Sequence, residues 1–342
     1  MKMNKKLGQH LLSNPGIVQK IIESAQITKS DTVLEIGPGT GNLTMQLCTL
    51  AKKVRCIEID QRMVAELKKR AMASGHTNLE VLKGDALKTD FGYFTLCVAN
   101  LPYQISSMFL FRLISWPKKF RAAILMFQKE FGDRLLASAG DKHYCRLSVN
   151  VQLFCKITRV CNVSAKSFNP PPKVDSVVVK LSSLPNKLEV DYQQWDAMLK
   201  IIFNRKRKTL RASFVSGSCL NNIYNLYKEY TNKILPDSRV LDTVSEFKEY
   251  LCKLLSDCYI ELDKKSFEIV KVDDTHLCQL ENKLAMLEMR AVELSVNNLF
   301  ILYKHLLTHG IYFVKPNTEN QLECLKEMFI NNNNELIDVD QD

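Results

Sequence analysis

The chain has 342 residues, of which 46% are hydrophobic and 25% are charged, and this ordinary globular composition excludes wholesale disorder. No apolar stretch approaches the roughly 18 residues that a transmembrane helix needs, so we expect no membrane span. The 47 Lys and Arg exceed the 37 Asp and Glu, and the net charge of +10 suits either a polyanionic partner or simple solubility.

The first half of the chain alternates short apolar runs with amphipathic segments. The first amphipathic segment is a helix over 16–27, with Asn14 as its N-cap and Pro15 in its first turn. The pattern then predicts strands at 32–37, 53–60 and 79–87, with helices at 42–51 and 62–74 between them. A strand and turn follow at 95–103, and a helix at 105–115. The last predicted elements are a strand at 121–131 that becomes helical from Gln128, and strands at 147–155 and 174–184. This alternation predicts an α/β, doubly wound, largely parallel sheet. The closely spaced last strands indicate an antiparallel edge.

The pattern changes near Pro185. From Trp195 onward the spacing of apolar residues is helical, including the long stretch at 280–307. We therefore predict a first domain at 1–185, a second, α-helical domain at 186–314, and a polar and acidic tail at 315–342 that is partly disordered.

Cysteine and histidine usage indicates neither a disulfide framework nor a metal site. Eleven cysteines, an odd number, are scattered without a C-x-x-C pair, so we expect buried, reduced thiols in an intracellular protein. His305 and His309 are four residues apart, but no Cys pair or adjacent Glu accompanies them, and a helix that carries two histidines is the simpler interpretation. The N-terminus shows no signal peptide, which makes the cytosol or nucleus the expected compartment.

A glycine-rich loop follows the first long strand and opens a helix. The loop reads E-x-G-x-G-x-G, with Glu35 followed by Gly37, Gly39 and Gly41. Glycines allow a sharp turn and leave room for a ligand against the backbone. The form resembles the S-adenosylmethionine (SAM) loop of class I methyltransferases more closely than the G-x-G-x-x-G of dehydrogenases.

Acidic residues end the next two strands. Glu58 and Asp60 end the second strand, where a carboxylate can accept both ribose hydroxyls of a nucleoside. Asp85, between Gly84 and Ala86, ends the third strand, where its carboxylate can accept an adenine amino group. The order of these features predicts a nucleoside cofactor; the competing interpretation is a structural turn with solvated acids.

The sequence Asn100-Leu101-Pro102-Tyr103 follows the fourth strand. An exocyclic aromatic amine is a poor nucleophile, but the Asn100 side-chain oxygen and the Leu101 carbonyl could accept its two hydrogens and direct its lone pair at a methyl donor. Pro102 stiffens the turn, and Tyr103 offers a face on which an extruded base can stack. On its own this motif is better explained as a tight turn with a buried tyrosine.

Taken with these motifs, the chain resembles the ribosomal RNA adenine N6,N6-dimethyltransferases. The resemblance rests on Gly8–Leu12 (GQHLL), the LEIGPGTGNLT block, VANLPYQISS and Phe168–Ser176 (FNPPPKVDS), and it covers most of residues 5–214. It resumes weakly at 290–313, and the segment 215–289 departs from the family. The residues of these motifs resemble the eukaryotic nucleolar branch more closely than the bacterial or mitochondrial branches.

The resemblance implies a Rossmann-like class I SAM-dependent methyltransferase sheet with a C-terminal α-helical domain. It also implies roles: Gln9, His10 and Leu12 lie over the cofactor, Gly37 approaches the methionine portion of SAM, Glu58 the ribose, Asp85 the adenine, and Asn100 both SAM and the target amine. The whole expected cofactor set is Gln9, His10, Leu12, Glu35, Gly37, Gly39, Gly41, Glu58, Asp85, Ala86 and Asn100, with no metal. Phe168 is expected to face Tyr103 across the extruded base, although a core aromatic is an equally good interpretation of the residue alone.

A cationic cluster follows the first helix of the second domain and comprises Lys200, Arg205, Lys206, Arg207, Lys208 and Arg211. Interleaved apolar residues predict one buried and one cationic face, and the cationic face suits RNA phosphates. A solvated helix face or a nuclear-import signal competes with this interpretation. Further basic residues could extend the cluster: Lys118, Lys119, Arg121, Arg134, Lys142 and Arg146.

The expected activity is SAM-dependent dimethylation of N6 on two adjacent adenosines near the 3′ end of small-subunit rRNA during ribosome biogenesis. We expect a monomer in the nucleolus, and also in the cytoplasm, acting on pre-ribosomal particles with assembly factors as possible partners. The alternatives are a non-catalytic RNA-binding assembly or organellar transcription factor on the same fold, and a methyltransferase for DNA adenine or another amine.

The net charge is unevenly divided. Residues 1–214 hold 34 Lys and Arg against 16 Asp and Glu, whereas residues 215–342 hold 13 against 21. This division favours RNA contact through the first 214 residues.

Overall fold

The computed structural model describes residues 9–116, 120–184, 190–234, 240–261 and 283–315. It divides into two compact units. The first combines residues 1–136 with 154–187, and the second combines residues 137–153 with 188–342. The sequence-based division at 185 differs in the segment 137–153, which groups with the second unit.

The described residues of the first unit form nine strands, seven of which make up its main sheet. The nine strands are β1 (Leu11–Leu12), β2 (Thr32–Ile36), β3 (Lys53–Glu58), β4 (Leu79–Lys83), β5 (Leu96–Asn100), β6 (Ala122–Gln128), β7 (Cys155–Val163), β8 (Phe168–Asn169) and β9 (Ser176–Ser183). The order in the large sheet is β4-β3-β2-β5-β6-β9-β7, and β1 and β8 form a separate antiparallel ribbon. The five strands from β4 to β6 are parallel, whereas β9 runs antiparallel to both β6 and β7. The predicted antiparallel edge is therefore confirmed.

Helices cover this sheet because the central strands are apolar along almost their whole length. They are α1 (Pro15–Ala25), α2 (Thr44–Leu50), α3 (Gln61–Ala73), α4 (Ser106–Ile114) and α5 (Lys129–Leu136). Every residue of β6 except Gln128 is buried, as expected for a strand covered on both faces. The core includes Val18 and Ile21 of α1, which pack with Val33 of β2 and Ile124 of β6 in one cluster. The predicted change from strand to helix at Gln128 is confirmed.

The prediction of a strand at 147–155 is wrong. Residues Arg146–Gln152 form the helix α6, and the next strand, β7, begins only at Cys155. The alternation of Val149 and Val151 with polar residues mimicked a half-buried strand, but the polar residues are buried as well. Ser148 Oγ accepts the Cys145 N–H (3.1 Å), and the fully buried Asn150 donates to Asp196 Oδ1 (2.7 Å).

The second unit is mainly helical, as predicted. Besides α6 it contains α7 (Tyr192–Asn204), α8 (Leu210–Phe214), α9 (Gly217–Ile234), α10 (Val244–Asp257), β10 (Tyr259–Glu261), β11 (Lys283–Ala285) and α11 (Val296–Thr308). Its core is rich in large side chains that are almost wholly buried, among them Trp195, Ile202, Phe214, Phe247, Leu302 and Tyr303.

The helical prediction for 280–307 holds only for its last part. Lys283–Ala285 pairs with β10, short 3-10 turns follow at Met286–Glu288 and Ala291–Glu293, and α11 begins after Ser295. The Ser295 hydroxyl accepts the Asn298 N–H (3.2 Å) and so defines the start of the helix. The centre of the segment 215–289, at 262–282, and the predicted disordered tail after Lys315 lie outside the described residues.

In the part of the chain that the structure describes, no helix is both long and apolar enough to cross a membrane.

Candidate active site

Four of the predicted motifs meet where the parallel strands end. The glycine loop follows β2, Glu58 ends β3, Asp85 follows β4, and Asn100 ends β5. The carboxyl ends of parallel strands lie along one edge of a sheet, and ligands bind there in open α/β folds. The cleft at this edge is lined by the predicted residues Gln9, His10, Leu12, Glu35, Gly37, Gly39, Glu58, Asp85, Ala86, Asn100, Leu101, Pro102, Tyr103 and Phe168.

The glycine loop turns in a conformation that other residues rarely adopt. Gly37, Gly39 and Gly41 have φ of +65°, +57° and +88°. A Cβ added at Gly39 would come within 2.6 Å of the Leu11 side chain. Gly41 lies away from the cleft, where its missing Cβ leaves room for Leu67 of α3. The structure therefore places Gly37 and Gly39, but not Gly41, at the predicted cofactor site.

Two carboxylates stand side by side after β3. Glu58 is 6% exposed, and its two oxygens accept the Asp60 N–H (3.0 Å) and the Gly39 N–H (3.2 Å). Burial raises the pKa of Glu58 above its ordinary value. Asp60 accepts from Arg62 (2.7 Å) and Gln9 (2.9 Å), and the Arg62 guanidinium holds the pKa of Asp60 well below its usual range.

Glu35 lies under the glycine loop and is 2% exposed. Its Oε2 accepts the Cys56 thiol at 3.4 Å. Burial raises the pKa of Glu35 to about 7, because removal from water penalises the charged form.

Asp85 follows β4, the strand next to β3 in the sheet. Its Oδ1 accepts the Leu87 N–H (2.8 Å), and Arg112 ties down the same loop by donating to the carbonyls of Ala86 and Thr89. Neither Glu58 nor Asp85 forms an ion pair with any described residue. Both carboxylates can therefore accept hydrogen bonds from uncharged polar groups of a ligand, such as hydroxyl or amino groups.

The Asn100 amide is oriented by the segment before α1. Asn100 Nδ2 donates to the His10 carbonyl (3.0 Å), while Oδ1 has no hydrogen-bond partner among the described residues. The donor side of the amide is thus occupied, and the acceptor side is available to an incoming N–H. Leu101 is buried directly after it.

Tyr103 opens a 3-10 turn (Tyr103–Ile105) and is half-buried. Its hydroxyl lies 2.7 Å from Ser176 Oγ, and burial raises the pKa of Tyr103. The His10 ring lies nearly parallel to it, with 6.2 Å between ring centroids and 25° between planes. Phe168 also lines the cleft and is 4% exposed, so the two predicted aromatic residues belong to one site.

The N-terminal segment Gln9–Ser13, here called the strap, is fastened to the chain near Phe168. Leu11 and Leu12 pair with Asn169 and Phe168. His10 Nδ1 lies 2.8 Å from the Pro170 carbonyl oxygen. This pairing explains how residues from the start of the chain reach the cleft.

Sequence reasoning missed several contacts of the site. Ser176 lay inside the quoted FNPPPKVDS motif, but nothing in the motif connects it with Tyr103. Asn42 holds the strap by donating to the Leu12 carbonyl (3.0 Å), and Ile59, 49% exposed, forms part of the cleft wall. A large apolar side chain left exposed between two strand-end acids was the available signal for Ile59.

The cationic cluster belongs to the second unit. Ile202 and Leu210 are buried, as predicted, whereas the exposed members of the cluster are Lys200, Arg205, Arg207, Lys208 and Arg211. Lys206 Nζ donates to the Lys142 carbonyl (3.5 Å), which brings Lys142 to the cluster. Arg211 is 3.7 Å from Glu288.

The other basic residues that could have extended the cluster are placed differently. Arg121 pairs with Asp31 and Arg134 with Glu130, both within the first unit. Arg146, in the second unit, is 3.7 Å from Asp196. Lys118 and Lys119 lie outside the described residues.

The predicted histidine pair is part of α11 and its end. The His309 Nδ1 atom lies 2.8 Å from the His305 carbonyl oxygen, an ordinary contact at a helix terminus. Within the described ranges no group of three or more His, Cys, Asp and Glu is arranged to hold a metal ion.

The parallel-rich sheet with its glycine loop and strand-end acids defines a class I SAM-dependent methyltransferase fold. The family model described as "Ribosomal RNA adenine dimethylase" matches residues 1–251. The match extends past residue 214 into the segment that resembled the family least. The chain belongs to this family, and it is an rRNA (adenine-N6,N6)-dimethyltransferase.

Individual relatives agree with this assignment. The chain is 46% identical over 260 residues to a dimethyladenosine transferase of Kluyveromyces lactis, covering 75% of this chain and 81% of that protein. It is 42% identical over 286 residues to that of Yarrowia lipolytica, covering 82% and 88%. A crystal structure of a dimethyladenosine transferase from Plasmodium falciparum superposes with a TM-score of 0.78 at 45% identity, covering 89% of this chain and all of the other. The 23S rRNA methyltransferase ErmE gives a TM-score of 0.53 at 25% identity, covering 70% and 96%.

Proposed function

We propose that this chain uses SAM to dimethylate N6 of two adjacent adenosines near the 3′ end of small-subunit rRNA. The observation that carries the proposal is the Asn100 amide, which is anchored through Nδ2 and offers Oδ1 to the cleft beside Leu101 and Tyr103. The substrate class follows from the family, and the site on the small subunit follows from the resemblance of the motifs to the nucleolar branch.

The residues of the cleft fit SAM. Glu58 offers a buried carboxylate that no cation neutralises, which suits the two hydroxyls of a ribose. Asp85 and Ala86 lie where an adenine can be held, and Ile59 offers an apolar wall. Gly37 has a φ of +65°, which favours glycine, and it lines the cleft next to Asn100. When bound, SAM supplies a methyl group on a sulfonium, whose sulfur leaves with the electron pair of the broken bond.

The chain contributes positioning and hydrogen bonding. In the first transfer the Asn100 Oδ1 and the Leu101 carbonyl accept the two N6 hydrogens, and in the second one of them accepts the single hydrogen that remains. These bonds localise the nitrogen lone pair and aim it at the methyl group. Tyr103 and Phe168 hold the extruded base between apolar faces. No residue has to act as a strong base, because the N6 proton becomes acidic only after the new bond has formed.

Replacing Asn100 tests the proposal. Asn100→Ala removes the acceptor, and we expect methyl transfer to fall about a hundredfold or more. The assay is mass spectrometry of dimethyladenosine in immature small subunits incubated with the protein and SAM. The control is Asn162→Ala, on the exposed side of β7. Turnover of Asn100→Ala at the wild-type rate would overturn the assignment of Asn100.

The remaining parts of the proposal concern the setting of the reaction. We propose that the protein acts as a monomer on pre-ribosomal particles in the nucleolus. Comparing pre-ribosomal particles, free rRNA and duplex DNA as methyl acceptors tests the substrate, and imaging of a fluorescent fusion tests the location. Preferred methylation of duplex DNA would contradict the proposal.

A further inference from the structure

The Tyr103 ring is fixed at its far end as well as at its backbone. The Tyr103 hydroxyl lies 2.7 Å from Ser176 Oγ. Within the described residues, this is the one hydrogen bond that the Tyr103 side chain makes. The hydroxyl oxygen of a tyrosine lies on the axis about which the ring turns, so a bond at the tip fixes the direction of that axis and leaves the ring plane to other contacts. Ser176 therefore fixes where the Tyr103 ring points, which Pro102 and the turn that follows it do not.

Ser176 is held by strand pairing on both sides. It is the first residue of β9, is fully buried, and pairs with Gln128 of β6 on one side and Val163 of β7 on the other. The preceding Asp175 is also fixed, since its carbonyl accepts the Lys129 N–H (3.0 Å) and its Oδ1 accepts the Ala165 N–H (2.9 Å). The hydroxyl that meets Tyr103 is thus held by the sheet.

The ring is also restrained from the side of the strap. The His10 ring lies nearly parallel to it at 6.2 Å, and the carbonyl of the same residue holds the Asn100 amide. Tyr103 and Asn100 are consequently set in a common frame, one by Ser176 and the other by His10. A base stacked on Tyr103 would have its amino group fixed relative to the Asn100 acceptor.

We propose that Ser176 is a positioning residue for methyl transfer, which fixes the direction of the Tyr103 ring so that a stacked adenine presents N6 to Asn100. The inference rests on the proposed role of Tyr103 as the stacking surface. It goes beyond that role because it assigns a function to a buried serine that touches neither the cofactor nor the base.

The test is a double-mutant cycle on Tyr103→Phe and Ser176→Ala, with turnover measured on immature small subunits. Each change removes one partner of the bond and keeps the ring, so we expect each to lower kcat roughly three- to tenfold, as for the loss of one neutral hydrogen bond. The double variant should be no slower than the slower single variant, because the same bond is lost. SAM affinity by calorimetry should stay at the wild-type value throughout.

The matched control is Ser183→Ala at the other end of β9, whose hydroxyl makes no hydrogen bond in the described part of the chain. It should leave kcat and the melting temperature unchanged. A purely structural role for Ser176 would lower the melting temperature and act on kcat equally in the Tyr and Phe backgrounds. Multiplicative losses in the double variant, or a wild-type kcat for Ser176→Ala, would overturn the inference.

Tyr103→Ala separates this inference from the proposed function on which it rests. If Tyr103→Ala keeps wild-type turnover, the stacking role of Tyr103 fails and the inference fails with it. If Tyr103→Ala is inactive while Tyr103→Phe and Ser176→Ala turn over normally, the stacking role stands and only the positioning role of Ser176 is refuted.

Discussion

Glu35 places an ionisable group at the base of the cleft, where the neighbouring side chains are mostly apolar. Its carboxyl is 2% exposed, and the Cys56 thiol is its neighbour at 3.4 Å. The pKa of about 7 is well above the ordinary value of 4.5 because of burial. A carboxyl whose folded pKa is raised binds its proton more tightly in the folded than in the unfolded state, so its ionisation opposes folding.

Glu35→Gln should therefore change how stability depends on pH. In the wild type, stability is lost as pH rises from 4.5 to about 7, because the unfolded state has released the proton that the folded state keeps. Gln resembles the protonated form, so the variant should gain up to about 3 kcal/mol relative to wild type across this window and level off above it. The measurement is urea unfolding at a series of pH values.

Glu80→Gln is the control for the sign of this effect. Lys53 and Arg55 lower the pKa of Glu80, so its ionisation favours folding. The Gln variant should accordingly lose stability relative to wild type as pH rises through the acid range. Parallel pH profiles for Glu35→Gln and wild type would show that the pKa of Glu35 is the same in the folded and unfolded protein.

At the scale of elements, α1 connects the strap with the core of the first unit. The Asn14 Oδ1 accepts the N–H groups of Gly16 (3.0 Å) and Ile17 (3.3 Å), and Pro15 occupies the first turn, where no N–H is needed. Val18 and Ile21 of this helix line the cleft. The cap therefore defines where the strap ends and where the helix begins.

Asn14→Ala should destabilise the protein by about 1 kcal/mol, because two N–H groups of the first turn lose their acceptor. Asn14→Gly should cost only a few tenths of a kcal/mol, as is usual for glycine at this position. Urea unfolding of both variants checks the prediction. Equal losses for Ala and Gly would mean that the side-chain bonds to the first turn contribute little.

Helices and strands were predicted correctly where a single hydrophobic pattern runs through the whole element. Buried runs such as β6 and the capped helix α1 were predicted from local residues alone, and so were the motifs that the strand ends bring together. The segment 147–155 failed because burial of Asn150 depends on Asp196, which local periodicity cannot reveal. The contact between Tyr103 and Ser176 likewise joins residues far apart in the sequence. Strand pairing brings them together, and local patterns cannot predict it.

At the scale of the whole molecule, positive charge is concentrated in the first 214 residues, which contain 34 Lys and Arg and only 16 Asp and Glu. The cationic cluster at the end of this segment includes the exposed side chains of Arg207 and Lys208. Phosphate contacts by such residues strengthen RNA binding through release of counterions, and the affinity then falls with salt.

The double variant Arg207→Ala/Lys208→Ala should bind RNA more weakly and with a shallower salt dependence. Each lost contact to single-stranded RNA should reduce the slope of log K against log salt by about 0.7. Filter binding of small-subunit rRNA at several salt concentrations measures both quantities, and SAM affinity should not change. The matched control is Lys248→Ala/Lys253→Ala, two exposed lysines of α10. An unchanged slope in the Arg207/Lys208 variant would exclude the cluster from RNA contact.

The pairing of the strap with residues beside Phe168 has a consequence for how the enzyme is made. Leu11 and Leu12 leave the ribosome early, whereas their partners Phe168 and Asn169 are synthesised long after them. The Asn100 amide is held by His10 of the early segment, whereas the Tyr103 hydroxyl is held by Ser176, which follows Phe168 and Asn169 in the chain. During translation, the site is therefore assembled only once Ser176 has been added, and a nascent chain that already carries every glycine and strand-end acid has no finished active site.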